Sequence, residues 1–70
     1  MLVVKLGVAS MTGKLDLTDC RLPLLPPEVF DLGSDLEELC LAGNMLTELP
    51  GGIGKLVGLK RLQLAGNGEI

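Results

Sequence analysis

A chain of 70 residues has room for one small domain, and 47% of it is hydrophobic with Phe30 as the sole aromatic, so its core must be built from leucine rather than anchored on large rings. A formal net charge of −3 with no run of lysine or arginine excludes nucleic acid as a partner and argues against a membrane surface, and no stretch approaches 18 unbroken apolar residues. Histidine is absent, which removes the commonest general base and the commonest metal ligand, and two separated cysteines alone make no zinc site.

Met1 to Met11 is apolar. Leu2, Leu6 and Ala9 follow helical spacing, with Val3 or Val4, Val8 and Met11 beside them, and Gly13 is placed to follow a helix C-terminus. Against a helix stand the β-branched Val3, Val4 and Val8 and the poor helix former Gly7, which leave an extra edge strand as the alternative. As a signal peptide the stretch is too short, because Lys5 interrupts it and patterned residues begin almost at once. The chain is therefore expected to be cytoplasmic.

From Thr12 onward the sequence repeats itself. Leu15, Leu17, Leu22, Leu25, Pro26, Val29 and Leu32 stand 24 positions before Leu39, Leu41, Leu46, Leu49, Pro50, Ile53 and Leu56 (15 to 39). Leu59, Leu62, Leu64 and Asn67 stand 23 positions after Leu36, Leu39, Leu41 and Asn44 (36 to 59). The offset changes because Gly33-Ser34-Asp35 occupies the place of Val57-Gly58. Leu36 to Leu56 reads L-x-x-L-x-L-x-x-N-x-L followed by L-P-x-x-I-x-x-L. This string resembles the leucine-rich repeat, and within that family the intracellular subclass with repeats of about 23 residues. Two full copies and half of a third, in register, cover Thr12 to Asn67.

The resemblance implies an α/β fold: a short right-handed solenoid with a three-strand parallel sheet. It divides the chain into an N-terminal cap (1–11), repeat one (12–35), repeat two (36–58) and a partial repeat three (59–70). It also favours a helix for Met1 to Met11, since small cytosolic members open with an amphipathic helix and a Thr-Gly step like Thr12-Gly13. Strands are expected over Lys14–Thr18, Glu38–Ala42 and Arg61–Ala65, with Leu15 and Leu17 pointing inward because side chains alternate. Pro23, Pro26 and Pro27 forbid a regular helix or a central strand after the first turn. An extended or helical-turn return segment is expected over Pro26 to Leu32, with Val29 and Leu32 facing in. Phe30 lies either on the surface or in the slack of the one-residue insertion. Family members use a buried asparagine to bond backbone groups where the chain bends after a strand; that column here is Cys20, Asn44 and Asn67.

Cys20 on a turn and Cys40 in mid-strand face different ways and are expected to be two reduced thiols. The glycine run Gly51, Gly52 and Gly54 is not a phosphate loop, because Gly54-Lys55 is followed by Leu56. It is expected to be a tight, irregular turn. Asp35, Glu37 and Glu38 sit at a repeat junction, Glu28 and Asp31 on the return segment, and no nucleophile has a partner. The chain reads as a non-enzyme without a cofactor.

What remains is a binding surface. In register, the outward positions form a grid with columns Lys14, Glu38 and Arg61; Asp16, Cys40 and Gln63; and Thr18, Ala42 and Ala65. Concave-face binding in the family makes this grid the expected protein-binding site. Parallel strands about 4.8 Å apart also let the first column form an alternating-charge ladder whose role is only to avoid like-charge repulsion. A few hundred square ångströms by rough estimate is less than the about 800 Å² a stable interface buries per partner, so weak binding, or binding as part of something larger, is expected. After Asn67 the family's next leucine position holds Glu69, with Ile70 one residue late, which leaves Leu59, Leu62 and Leu64 on an open edge. The expectation is a signalling or scaffold interaction module, free or part of a longer chain. The alternatives are the regulatory segment of a kinase or ubiquitin ligase and a piece that self-associates through the Leu59–Leu64 edge. The partner is not specified by any residue, although the subclass is implicated in small-GTPase and kinase signalling.

Overall fold

A computed structural model describes residues 2–49 and 51–68. Readings that fall on Met1, Pro50, Glu69 and Ile70, and on the Leu2 and Val3 side chains, lie outside what is described. The first element is a helix, not an edge strand: α1 spans Leu2–Thr12. Ala9 is fully buried and Leu6 half-buried, so this pair turns toward the rest of the chain. Val4, Val8 and Met11, which the helical spacing places beside the Leu6–Ala9 stripe, are exposed. Gly13 ends the helix with φ 77°, its N–H bonding the Ala9 carbonyl at 2.8 Å, while the Thr12 hydroxyl donates to the Val8 carbonyl at 3.0 Å. The Gly13 carbonyl then accepts from the N–H groups of Glu37 and Glu38, so the residue that stops α1 also starts the sheet.

The sheet is parallel in the order β1 (Lys14–Asp16), β2 (Glu38–Cys40), β3 (Arg61–Gln63). Lys14 pairs with Glu38 and Glu38 with Arg61, Asp16 with Cys40 and Cys40 with Gln63. The strands stop two residues short of the expected Thr18, Ala42 and Ala65. Backbone bonds nevertheless continue past their ends: Leu17 N to Cys40 O, Asp19 N to Ala42 O, Leu41 N to Gln63 O and Gly43 N to Ala65 O, all 2.9 Å. The chain has begun to turn while the turns remain stacked. The turn after β2 carries Gly43 at φ 71° and that after β3 Gly66 at φ 76°. The matching residue after β1 is Asp19, held at φ 55° against the usual steric preference. Its carboxylate occupies the space a side chain on Gly43 would need.

Leucines from the three turns form one core. Leu15, Leu17, Leu39 and Leu41 are buried beneath the sheet, and Leu36, Leu46, Leu32, Leu56, Leu25 and Val29 complete it. A fully buried leucine is worth about 2 kcal/mol, so these columns carry most of the fold's stabilisation. Burial thins toward the third turn: Leu59, Leu62 and Leu64 are half-buried, and Leu49 is 40% exposed where its equivalent Leu25 is 5% exposed. The return segments are 3-10 helices: Pro27–Asp35 takes the helical-turn alternative expected there, and Gly51–Lys55 is a short 3-10 helix rather than the irregular turn expected. The proline at the start of the first fits there because that position needs no donor. Non-helical backbone at Gly33 splits this helix and absorbs the extra residue of Gly33-Ser34-Asp35. Phe30 tucks in rather than lying free: it is half-buried, with its ring against Gly52 of the next turn.

Two buried asparagines lock the turns together. Asn44 Oδ1 accepts from the N–H groups of Cys20 and Leu22 at 3.0 Å each, and its Nδ2 donates to the carbonyls of Leu17 (2.9 Å), Leu41 (2.8 Å) and Ala42 (3.3 Å). Asn67 Oδ1 accepts from Leu46 N at 3.1 Å, and its Nδ2 donates to Leu41 O at 2.7 Å and Leu64 O at 2.9 Å. Each asparagine serves the preceding turn, so Cys20, with no turn before it among the described residues, carries an exposed thiol instead. Leaving a buried donor or acceptor unsatisfied costs about 1–3 kcal/mol. Asn44→Ala is therefore expected to lower stability by about 3 kcal/mol, and Asn67→Ala, with fewer partners, by about half as much. Urea midpoints of the two variants test this, and equal or reversed losses would reject the assignment.

Candidate functional site

The outward face of the sheet is shaped by strand alternation. Leu15, Leu39 and Leu62 turn inward, so Lys14, Asp16, Glu38, Cys40, Arg61 and Gln63 turn outward. Together they bound a shallow depression of about 210 Å³, lined by Lys14, Leu15, Asp16, Glu38, Leu39, Cys40, Arg61 and Gln63. Two of the three expected columns are therefore brought together. The third, Thr18, Ala42 and Ala65, lies beyond the strand ends and does not line the depression.

The first column is a charge ladder. Glu38 Oε2 lies 3.6 Å from Lys14 Nζ, and its Oε1 lies 3.8 Å from Arg61 Nη1. The Lys14 and Arg61 side chains remain largely exposed. Exposed pairs of this kind contribute about 0.2–1 kcal/mol at most. The ladder thus does little for stability, and its charges remain accessible from solvent. Glu37 makes a similar pair with Lys60 at 3.6 Å, away from the depression.

The second column is tied to the third by Thr18. Asp16 Oδ1 accepts from both the Thr18 hydroxyl, at 2.5 Å, and the Thr18 N–H, at 2.9 Å. The hydroxyl has one proton, and the carboxylate is the stronger acceptor. The 3.0 Å contact between Thr18 Oγ1 and Cys40 Sγ is therefore a thiol donating to the hydroxyl. Thr18 does not line the depression, yet it fixes how Asp16 and Cys40 are presented. Cys20 lies on the turn with its thiol directed to the Thr18 carbonyl at 3.6 Å, and both cysteines are free. Lys5 is the residue that reading the sequence missed: from α1 it donates to the Asp16 carbonyl at 3.1 Å. Only the phase of α1 relative to β1 reveals this, and no motif encodes that phase. Among the described residues no cluster of three potential metal ligands occurs, and no helix is long and apolar enough to cross a membrane.

The two bonds from Thr18, side-chain first, hold the Asp16 carboxyl below its ordinary 3.8, with a smaller contribution from the Lys5 charge; partial burial opposes them. A depressed folded-state value means these contacts stabilise the chain above the ordinary carboxylate range and are lost as pH falls through the folded value. Titration followed by carboxyl NMR should place the Asp16 midpoint below 3.8, and Thr18→Val should return it toward 3.8. An unmoved midpoint in the variant would show that Thr18 does not hold the carboxylate.

Comparison with known proteins bears on the family of the chain. The family description "Leucine rich repeat" matches residues 13–68. A relative from Oryza sativa subsp. japonica, "Plant intracellular Ras-group-related LRR protein 7", is 45% identical over 56 residues, which cover 80% of this chain and 21% of that protein. The chain therefore spans about a fifth of the length of that relative. No solved structure matches it.

Proposed function

We propose that this chain, which belongs to the leucine-rich repeat family, binds a protein partner through the outward face of its three-stranded sheet. Leucine-rich repeat domains generally mediate protein–protein interaction, and the observation that carries the reading to this face is the depression across β1, β2 and β3. Lys14, Glu38 and Arg61 stand along it as accessible alternating charges with little structural work to do. Such an arrangement favours a partner with complementary charges and rejects a uniformly charged one. The role is that of a non-catalytic module in signalling or scaffolding, at work in the cytoplasm. The "intracellular" and "Ras-group-related" in the rice relative's printed name support this location and class of process.

The test is charge reversal. Glu38→Lys and Arg61→Glu each lie on the face and are expected to weaken partner binding about tenfold, with little loss of stability. Glu28→Lys and Asp31→Lys, on the exposed side of the first 3-10 helix, are expected to leave binding unchanged. Equal effects from both pairs would reject the face.

A second reading is self-association through the Leu59–Leu64 edge, favoured by the half-burial of Leu59, Leu62 and Leu64 where Leu36, Leu39 and Leu41 are buried. Light-scattering mass over a hundredfold range of concentration distinguishes it. A mass that rises, and that Leu62→Glu returns to one chain, is the expected outcome; a mass fixed at one chain removes this reading and leaves the sheet face.

A further inference from the structure

The face does not end at β1. A second depression, of about 230 Å³, is lined by Val4, Lys5, Val8, Lys14, Leu15 and Asp16. It shares Lys14, Leu15 and Asp16 with the first, so the two depressions adjoin across β1, one toward α1 and the other toward β3. The outer wall on the α1 side is apolar: Val4 is 60% exposed and Val8 51%, one helical turn apart on the same face. Isolated exposed valines need no explanation, but this pair borders a groove that already holds polar groups, and Met11 continues the stripe at 87% exposure.

Charge narrows the occupant. The chain as a whole carries −3, yet along the two depressions three cations, Lys5, Lys14 and Arg61, stand against two carboxylates, Asp16 and Glu38, and Glu38 is shared between Lys14 and Arg61. Asp16 already accepts two bonds from Thr18. Lys5 donates to the Asp16 backbone carbonyl rather than to its carboxylate, on which its charge acts only as a smaller influence. The groove as a whole therefore carries one cation in excess beside its apolar wall. Size points the same way, since an extension onto the helix brings the few hundred square ångströms of the sheet grid closer to the about 800 Å² of a stable interface.

We propose that the site takes an acidic-aliphatic peptide segment of a partner protein. One branched apolar side chain seats against Val4 and Val8, an adjacent carboxylate meets Lys5 and Lys14, a cation or amide donor meets Glu38 over β2, and a second carboxylate reaches Arg61. This rests on the sheet-face reading above and adds the class of partner.

Selection of a random dodecapeptide display library on the full chain tests it. Enriched peptides should pair Asp or Glu with a neighbouring Leu, Ile or Val. They should lose at least tenfold in affinity for Val8→Asp and also for Arg61→Glu, with the circular dichroism of both variants unchanged. Peptides sensitive to Arg61→Glu but indifferent to Val8→Asp would overturn the extension and leave the sheet face standing. Sensitivity to Val8→Asp alone would remove the sheet face and this proposal with it. Enrichment of basic peptides, or of none, would also overturn it. So would Val8-dependent sedimentation with phosphatidylcholine–phosphatidylserine vesicles, which would assign the stripe to a lipid surface.

Discussion

The carbonyl of Leu41 is the point on which the stacking of turns depends. It accepts from Asn44 Nδ2 at 2.8 Å and from Asn67 Nδ2 at 2.7 Å, so both of its lone pairs are used by amides from successive turns. A chain that bends sharply after each strand loses ladder partners for its backbone, and a buried carbonyl or N–H without a partner is costly. A side-chain amide answers both needs at once, because it donates and accepts. The leucine columns can then lie beneath a sheet whose strands are only three residues long. Among the described residues no buried side-chain nitrogen or oxygen is left without a partner. Hydrophobic burial supplies most of the energy, but it is non-directional and would tolerate slippage. The asparagines fix the register that brings Lys14, Glu38 and Arg61 side by side.

Much of this was legible in the sequence because the period is a mechanical constraint. Offsets of 24 and 23 residues between Leu15, Leu39 and Leu62 leave only one register for three parallel strands, and the sheet adopts it. Gly13 as the residue that ends a helix was equally readable, since little else accepts its backbone geometry. The unreadable parts are those where two local solutions compete. Thr18, Ala42 and Ala65 continue the alternation of the strands, but the need to turn ends each strand two residues earlier. Leu25 and Leu49 occupy the same place in the pattern, yet 5% of one and 40% of the other is exposed, because burial depends on what lies over a residue rather than on its own identity. The exposure of Val4 and Val8 follows from how α1 sits on β1, a rigid-body choice that helical periodicity does not record.

The candidate site shows a similar division. Its columns follow from register, but its chemistry follows from one hydroxyl. Thr18 lies outside the depression and still commits the Asp16 carboxylate and receives the Cys40 thiol. Accessible charge along the ladder and an apolar wall on α1 make a surface with graded character, polar at β3 and apolar at the helix. That gradient arises because a helix and a sheet edge meet over a single strand. Under the proposed reading, it would give a bound segment a direction as well as a place.

One of these asparagines carries a chemical clock. Asn67 is followed by Gly68, and an Asn-Gly pair is the sequence most prone to lose its amide, because the following backbone nitrogen can attack the side-chain carbonyl and expel ammonia. In the folded chain three hydrogen bonds hold the Asn67 side chain against Leu41, Leu46 and Leu64, away from the rotation that attack requires. Deamidation there would set a carboxylate against two carbonyl oxygens and dismantle the junction it forms. Unfolding frees that rotation, so time spent unfolded favours the loss of the amide that holds the third turn to the second.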